Sequence, residues 1–336
     1  MDLEARIAGC LVGQAVGDAI GLPYENLSRR RVRRLARFDR PRFVFGYGCG
    51  SDDTEHAGLT AEAVAFAGGD VEAFRRRLAS GLRRWFLAGP PGIGMATLKA
   101  CVKLCVGVPP ARSGVRSAGN GPAMRAAILG VMVPPDRLAA FAAASTAMTH
   151  TDPRALAGAA LVAALAQVAA AIAPAAGPAW LRAAAATGPG ELEPLTRNLL
   201  LAADALEAGD SVEAFATAVG CARGVSGFIA HTVPVAAFAF FRHADDYRAA
   251  VEAVVRCGGD TDTVAAVTGA LVGSRVGVAG VPAEWRSRHR DWPWSLANLV
   301  EFRRPPLVAW PAVFARNLAF FAVVLGHVVR RLIPPW

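Results

Sequence analysis

Two short acidic clusters hold most of the chemistry this sequence can offer. The first is Ser51-Asp52-Asp53-Thr54, and the second, about two hundred residues further on, is Gly258-Gly259-Asp260-Thr261-Asp262-Thr263. Each falls where a glycine-containing loop meets an apolar-periodic segment, so each could simply cap a helix: Ser, Thr and Asp oxygens accept from the open N–H groups of a first turn. A cap needs one acceptor, however. Four carboxylates with their hydroxyl neighbours exceed that need, and adjacent anions repel unless a cation lies between them. If the clusters converge, Ser51, Asp52, Asp53, Asp260, Asp262 and Thr263 form an all-oxygen nest suited to Mg2+ or Mn2+ rather than zinc. Four carboxylates carry enough charge for two divalent cations, which can hold adjacent substrate oxygens and acidify a bound water.

Convergence depends on the helices behind the clusters. Gly9, Gly13, Gly17 and Gly21 recur at every fourth position in one segment, and Gly269, Gly273 and Gly277 in another. On a helix this spacing lines the glycines along one face, at about 1 kcal/mol each relative to alanine, and permits two backbones to approach closely. The two striped helices are expected to be central neighbours; the alternative is that small residues merely fill an alanine-rich core. Apolar residues at helical spacing predict helices over 3–19, 54–67, 71–86, 137–148, 154–173, 194–208, 211–222, 234–242, 247–256 and 261–276. Runs of alternating β-branched residues are nearly absent, and no long repeat recurs. The expected fold class is all-α, a compact orthogonal multi-helix bundle with a central dinuclear metal site. Past Pro282 the texture turns to Trp, Arg and Pro, so the expected division is 1–282 as this domain and 283–336 as an extension ending in an apolar helix.

Composition narrows the classes. The 336 residues are 54% apolar and 19% charged, a globular chain with ample core. A net charge of +9 invites a nucleic-acid reading. The charge is grouped, however: residues 28–43 carry +7 and residues from Trp285 onward +6, which leaves the rest at −4. Unmodified nucleic acid is therefore not an expected partner; a nucleic-acid binder would show steep salt dependence.

Six cysteines without a CxxC pair point to a reducing compartment, and the expected localisation is cytoplasmic. Cys101 and Cys105, one helical turn apart, are read as buried small residues, with metal binding as the alternative. Ile7-Ala8-Gly9-Cys10 has the form of a lipoprotein cleavage box, but no basic start followed by an apolar run precedes it, so export is not expected. The uncharged stretch 155–181 is mostly alanine and contains Gln167 and Pro174, too weakly apolar to span a bilayer. Leu318 to Val329 is more apolar, but as a helix it would cover about 18 Å of a core about 30 Å thick. It is expected to dock on the body or on a second subunit, with a membrane-surface contact as the alternative.

Five motifs occur in order: Gly13-x-x-x-Gly17-Asp18-Ala19-x-Gly21-x-Pro23-Tyr24-Glu25, Ser51-Asp52-Asp53-Thr54, Gly119-Asn120-Gly121-x-Ala123-Met124-Arg125, Thr149-His150 and Gly258 to Thr263. With these the chain resembles the ADP-ribosylglycohydrolases, the group that includes the dinitrogenase-reductase-activating glycohydrolase and the ADP-ribosyl-acceptor hydrolases, over about Ile7 to Gly277. The resemblance implies hydrolysis of the glycosidic bond between ADP-ribose and an acceptor, foremost an arginine side chain on a protein. It places Ser51, Asp52, Asp53, Asp260, Asp262 and Thr263 as ligands of two divalent cations that hold the hydroxyls of the distal ribose. Glu25 and Asp53 stand as the catalytic carboxylates, Glu25 near the carbon being cleaved. Glycoside cleavage through an oxocarbenium-like transition state needs such an oriented sugar, a carboxylate for proton transfer and an activated water.

On the substrate side the resemblance implies Gly119, Asn120, Gly121, Met124, His150, Gly227 and Phe228. The Gly119–Gly121 loop precedes a helical run over 123–131, and N–H groups at such a start suit a pyrophosphate. His150 matches a position near substrate, with a buried, hydrogen-bonded histidine as the competing reading. Asp152, followed by Pro153, reads as an N-cap. Gly227 and Phe228 fall on the adenosine side, Phe228 available for stacking, with a core phenylalanine as the alternative. The implied partner is an ADP-ribosylated protein or another ADP-ribose conjugate; a serine-linked, small-molecule or nucleic-acid conjugate, or a silent ADP-ribose binder, are the alternatives. The oligomeric state is left open. His56 departs from the apolar residues common at its position and is assigned no role. The arginine-rich segment after Glu25 is expected to form a helix with Leu27, Val32, Leu35 and Phe38 inward and arginines outward, either as a solvated face or as a docking surface for an acidic partner.

Overall fold

Alanine-rich segments with apolar residues three and four apart form helices that must bury one face against another element. The computed structural model describes residues 1–186, 192–290, 296–302 and 310–332. Among the described residues it contains helices and isolated bridges but no sheet. The α-helices are α1 (Leu3–Gly21), α2 (Arg29–Leu35), α3 (Asp52–Ala67), α4 (Val71–Leu87), α5 (Met95–Cys105), α6 (Ala127–Met132), α7 (Pro135–Ala147), α8 (Pro153–Val168), α9 (Gly177–Ala186), α10 (Leu195–Glu207), α11 (Val212–Ala218), α12 (Ile229–Arg242), α13 (Tyr247–Arg256), α14 (Thr261–Gly280), α15 (Ala283–Arg286), α16 (Leu296–Val300) and α17 (Trp310–Leu332). The protein is all-α.

The centre of the bundle is the antiparallel pair α1 and α14. A Cβ on Gly13 would lie 2.2 Å from the Gly269 carbonyl oxygen, one on Gly9 2.2 Å from that of Gly273, and one on Gly21 2.3 Å from that of Thr261. Backbone therefore packs on backbone along the whole stripe, and no side chain fits between. Tyr247 of α13 seals the seam by donating its hydroxyl to the Gly13 carbonyl at 2.5 Å. Because the helices run antiparallel, the C-terminal end of α1 meets the N-terminal end of α14. That juxtaposition brings the loop after α1 against the second acidic cluster.

Several boundaries differ from expectation for identifiable reasons. Helix α12 begins at Ile229 rather than Pro234. A proline inside a helix leaves the carbonyl four residues back without its donor. Here the Ala230 carbonyl accepts instead from Asn198 Nδ2 at 2.7 Å. The run predicted over 123–131 splits into a 3-10 turn, Ala123–Arg125, and α6. Cys101 is buried as expected, but Cys105 is exposed. In the arginine-rich segment Leu27, Val32 and Phe38 face inward, whereas Leu35 is exposed because α2 ends there and its chain turns away. Arg29 is buried, against expectation. Its guanidinium donates to the carbonyls of Cys257, Glu213 and Cys221 and to Thr217 Oγ1, riveting the segment to the body.

The last helix also departs from expectation. It runs for 23 residues rather than twelve, about 34 Å at the usual rise. One face docks on the body. Asn317 and Phe320 are buried, Asn317 Nδ2 donates to the Ala88 carbonyl at 2.9 Å, and Phe320 packs on Phe43 with ring centroids 4.9 Å apart.

Candidate active site

The site is built where α3, α14 and the loop after α1 meet. Ser51 is the N-cap of α3: its Oγ accepts from Asp53 N at 3.2 Å and donates to Asp53 Oδ2 at 3.1 Å. Thr263 Oγ1 donates to the same carboxylate oxygen from α14 at 3.1 Å, which joins the two clusters directly. Asp260 stands at the N-cap position of α14, but its side chain makes no capping bond. Its Oδ2 accepts from Asn120 Nδ2 at 2.6 Å. Capping therefore accounts for Ser51 and leaves Asp52, Asp53, Asp260 and Asp262 to other use.

Their electrostatics point the same way. Burial, then the surrounding acids Asp18, Glu55, Glu25 and Asp260, holds the Asp52 carboxyl well above the usual range. Burial and neighbouring carboxylates do the same for Asp53 and Asp262, and burial raises Asp260. Asp53 Oδ1 and Asp262 Oδ1 are buried without a hydrogen-bond partner, a costly state for a carboxylate that a cation would relieve. Among the described residues no group of three or more His, Cys, Asp or Glu is assembled as a ready cage for an ion. The arrangement is an open cluster of hard oxygen donors with unsatisfied oxygens, and in donor type and charge it fits divalent cations.

Glu25 sits on the loop after α1. It is partly exposed, and its charge acts on both Asp52 and Asp262. The loop is held by Gly258 and Gly259, both at positive φ, 72° and 88°. Gly259 donates its N–H to the Leu27 carbonyl at 2.8 Å and accepts from Asn26 N at 2.7 Å, while Val225 N donates to Gly258 at 2.8 Å. A Cβ on Gly259 would lie 2.0 Å from the Val225 carbonyl oxygen. The double glycine thus lets three chain segments close on one another and sets Glu25 where its charge reaches Asp52 and Asp262.

The 119–121 loop reaches the cluster through Asn120, which contacts Asp260. Asn120 N donates to the Gly227 carbonyl at 2.9 Å, and a Cβ on Gly227 would be 3.2 Å from Asp260 Oδ2. Gly119 N donates to Ser117 Oγ at 3.2 Å. Two N–H groups expected to face an anion are therefore engaged within the protein, and the Asn120 side chain is turned to Asp260. Gly119 and Gly121 are small for another reason: His150 lies against them, its Nε2 3.2 Å from a Cβ placed on Gly119. Burial lowers the His150 pKa to about 3, so the ring is neutral near pH 7, and Nδ1 shares a hydrogen bond with Thr149 Oγ1 at 2.9 Å. Asp152 caps α8 as expected, accepting from Arg154 N at 3.0 Å. Met124 is buried, its carbonyl accepting from Gln14. Phe228 is half-buried at the start of α12, with the Arg154 guanidinium 5.5 Å over its ring.

Three polar residues of the site carry no assignment from sequence. Asp18, fully buried on α1, accepts at Oδ2 from Ser51 N at 2.7 Å and from Thr54 Oγ1 at 2.5 Å, so it holds the start of α3 in place. Burial raises its pKa to about 7. Gln14 donates Nε2 to the Asp53 carbonyl at 2.8 Å. Arg125 is fully buried beneath the 119–121 loop. It donates to Ser145, to Thr149 Oγ1 at 2.7 Å, to the Gly121 carbonyl at 3.2 Å and to His56 Nδ1 at 3.3 Å. Burial lowers its pKa only to about 10, so it stays charged. This gives His56 its role: a neutral acceptor for Arg125, packed edge-on to Trp85. A charged side chain inside an apolar, glycine-striped helix is itself a signal, since burying it without partners is costly; Asp18 could have been found that way.

The profile of the ADP-ribosylglycohydrolase family matches residues 1–307. The chain belongs to this family. Across 303 residues it is 31% identical to an uncharacterized protein of Archaeoglobus fulgidus, covering 86% of this chain and 93% of that one. A solved structure titled ADP-ribosylglycohydrolase-related protein complex aligns with 96% of this chain and 99% of its own length, at 23% identity and a TM-score of 0.59. That likeness is one of fold. For this ADP-ribosylglycohydrolase family member, the convergence of the two acidic clusters falls within the matched span.

Proposed function

We propose that the protein hydrolyses the glycosidic bond between ADP-ribose and an acceptor, foremost an N-linked ADP-ribosyl-arginine on a protein, with two divalent cations, Mg2+ or Mn2+, at the acidic cluster. The observation that carries this reading is the pair of buried, unpartnered carboxylate oxygens, Asp53 Oδ1 and Asp262 Oδ1, in a cluster drawn from α3 and α14. Ser51, Asp52, Asp53, Asp260, Asp262 and Thr263 are the residues that would hold the cations. When bound, these supply charge neutralisation, a fixed ribose diol and a water of lowered pKa.

The chain's own groups do the rest. In the reaction a water oxygen bonds to the anomeric carbon, the bond from that carbon to the acceptor nitrogen breaks, and the water's protons are shared between the acceptor and the released sugar hydroxyl. Glu25, partly exposed and beside Asp52 and Asp262, moves the proton at the reacting face. Asp53 shares that task on the buried side. Asn120 orients Asp260, and Asp18 and Gln14 fix the first turn of α3, so the carboxylates are placed before substrate arrives. Neutral His150 and Gly121 line the phosphate side, while Phe228 offers a face to adenine.

The test is release of ADP-ribose from arginine-modified protein with and without Mg2+ or Mn2+, run beside Asp52→Asn and Asp262→Asn. Metal-dependent release that both variants lose is expected. No release under any metal condition, or equal release by the variants, overturns the reading; release only from a serine-linked or nucleic-acid conjugate moves the acceptor.

A further inference from the structure

The two basic segments of the sequence, separated by some two hundred and fifty residues, meet at one edge of the molecule. Residues 43–48 form a two-residue hairpin in which Val44 and Tyr47 exchange backbone hydrogen bonds of 3.1 and 2.8 Å. Gly48 then forms an isolated bridge to the Arg288–Arg290 segment, donating to the Arg288 carbonyl at 3.0 Å and accepting from Arg290 N at 2.7 Å. Helix α17 lies alongside: Phe43 packs against Phe320 and His327, and His327 Nε2 donates to the Phe43 carbonyl at 2.9 Å.

Two apolar features project from this basic edge. The hairpin tip is Phe45, 97% exposed and at φ 48°, a left-handed conformation a bulky residue seldom adopts. On α17, the polar side chains Arg316, Asn317 and His327 are all taken up by the body. Its outward face, with Phe314, Leu318, Phe321, Leu325, Val328 and Val329 between 43% and 56% exposed, has no polar residue among those described. A row of this size is larger than the scattered apolar residues usual on a soluble surface.

We propose that this edge docks in the plane of an anionic lipid bilayer, α17 and Phe45 entering the boundary of headgroups and acyl chains while arginines meet the lipid phosphates. The protein body serves as the polar face that an interfacial helix otherwise carries itself. Charge selects the occupant. Arg40, Arg42, Arg288 and Arg290 surround the hairpin, with Asp39 paired to Arg40 and Arg42; in sequence Asp291 follows Arg290 and Arg330-Arg331 follow Val329. A second copy stacked face to face would bring two such sets of cations together, whereas an anionic surface neutralises them.

The test is flotation of the full chain with vesicles of phosphatidylcholine alone or mixed with phosphatidylglycerol, and it needs no ADP-ribose substrate, so it stands or falls apart from the hydrolase reading. Binding to the mixed vesicles is expected, weakened by salt and at least about tenfold lower for Phe321→Asp with Leu325→Asp. Arg288→Ala and Arg290→Ala should each cost about fivefold. Thermal unfolding of these variants in the absence of vesicles checks that the fold is kept, and Phe45→Ser gives an independent loss of binding outside the helix. No flotation with anionic vesicles, equal binding to phosphatidylcholine alone, or a concentration-dependent dimer abolished by Phe321→Asp overturns the proposal. Resistance to alkaline carbonate extraction would overturn it too, in favour of a spanning helix.

Discussion

The pair α1 and α14 and the last helix, α17, are alike in composition and opposite in fate. All three are long and apolar enough to cross a membrane, yet the apolar windows of α1 and α14 are 78% and 72% buried in the fold and that of α17 only 11%. The difference lies in the small residues. Glycine at every fourth position lets α1 and α14 bring backbone to backbone, so their apolar side chains point outward into a continuous shell of other helices. Helix α17 has one glycine, Gly326, with nothing within 4 Å of where its Cβ would be, and its large side chains hold it off as a surface layer. Apolarity alone does not say where a helix goes; the surface it can fit against does.

Gly13→Val is the harshest way to break that comparison. Its side chain would meet the Gly269 backbone, which cannot withdraw without parting the two helices, and a loss above about 4 kcal/mol is expected in urea unfolding. Retention of normal stability would show that the stitching does not govern the core. Next comes the site at the end of the seam. Asp52→Asn and Asp262→Asn are expected to lower ADP-ribose release by more than about a hundredfold and to abolish the rise in Tm that Mg2+ or Mn2+ should give.

The pH dependence follows from two buried groups of opposite sign. Asp18 has its folded pKa raised from 3.8 to about 7, so its contribution favours the fold at low pH and is lost as pH rises through 7. His150 is lowered from 6.5 to about 3, so its contribution is present above 6.5 and lost as pH falls toward 3. In metal-free protein Asp18→Asn should flatten the neutral limb of a Tm-versus-pH curve and His150→Asn the acid limb, each by roughly a few kcal/mol; unchanged limbs would refute the assignment.

The docked face of α17 should respond more weakly. Arg316 joins Glu55 at 2.8 Å and the Gly50 carbonyl at 3.1 Å, with its side chain 10% exposed. Arg316→Leu is expected to cost about 2 kcal/mol and to speed hydrogen exchange in α17 ahead of the core. Smallest of all, Leu318→Ser on the outward face should change stability by less than about 0.5 kcal/mol. A larger loss would mean that this face is covered within the protein itself.

Much of this was readable from residue order. The glycine stripes announced the central pair, because only a close backbone approach offsets their cost to helix stability. The surplus of acids over capping needs announced the cluster. The uses of Asp18, Gln14 and Arg125 were harder to see, since each reaches a partner far along the chain: Asp18 to Thr54 across 36 residues, Arg125 to His56 across 69 and Gln14 to Met124 across 110. Spacing along one segment carries no trace of such partners. The 119–121 loop shows the converse: it has the look of an anion cradle, yet Ser117 and Gly227 occupy two of its N–H groups.

By itself the sequence determined the all-helical class, the adjacency of α1 and α14 and the composition of the acidic cluster, because local periodicity and small-residue spacing act through short-range sterics. Only the tertiary structure decided which carboxylate oxygens are left without partners, that Arg29 is a buried rivet, and that two basic segments share an edge with the apolar face of α17. Those outcomes depend on which distant groups fill the space around a side chain, and that space exists only once the chain has closed.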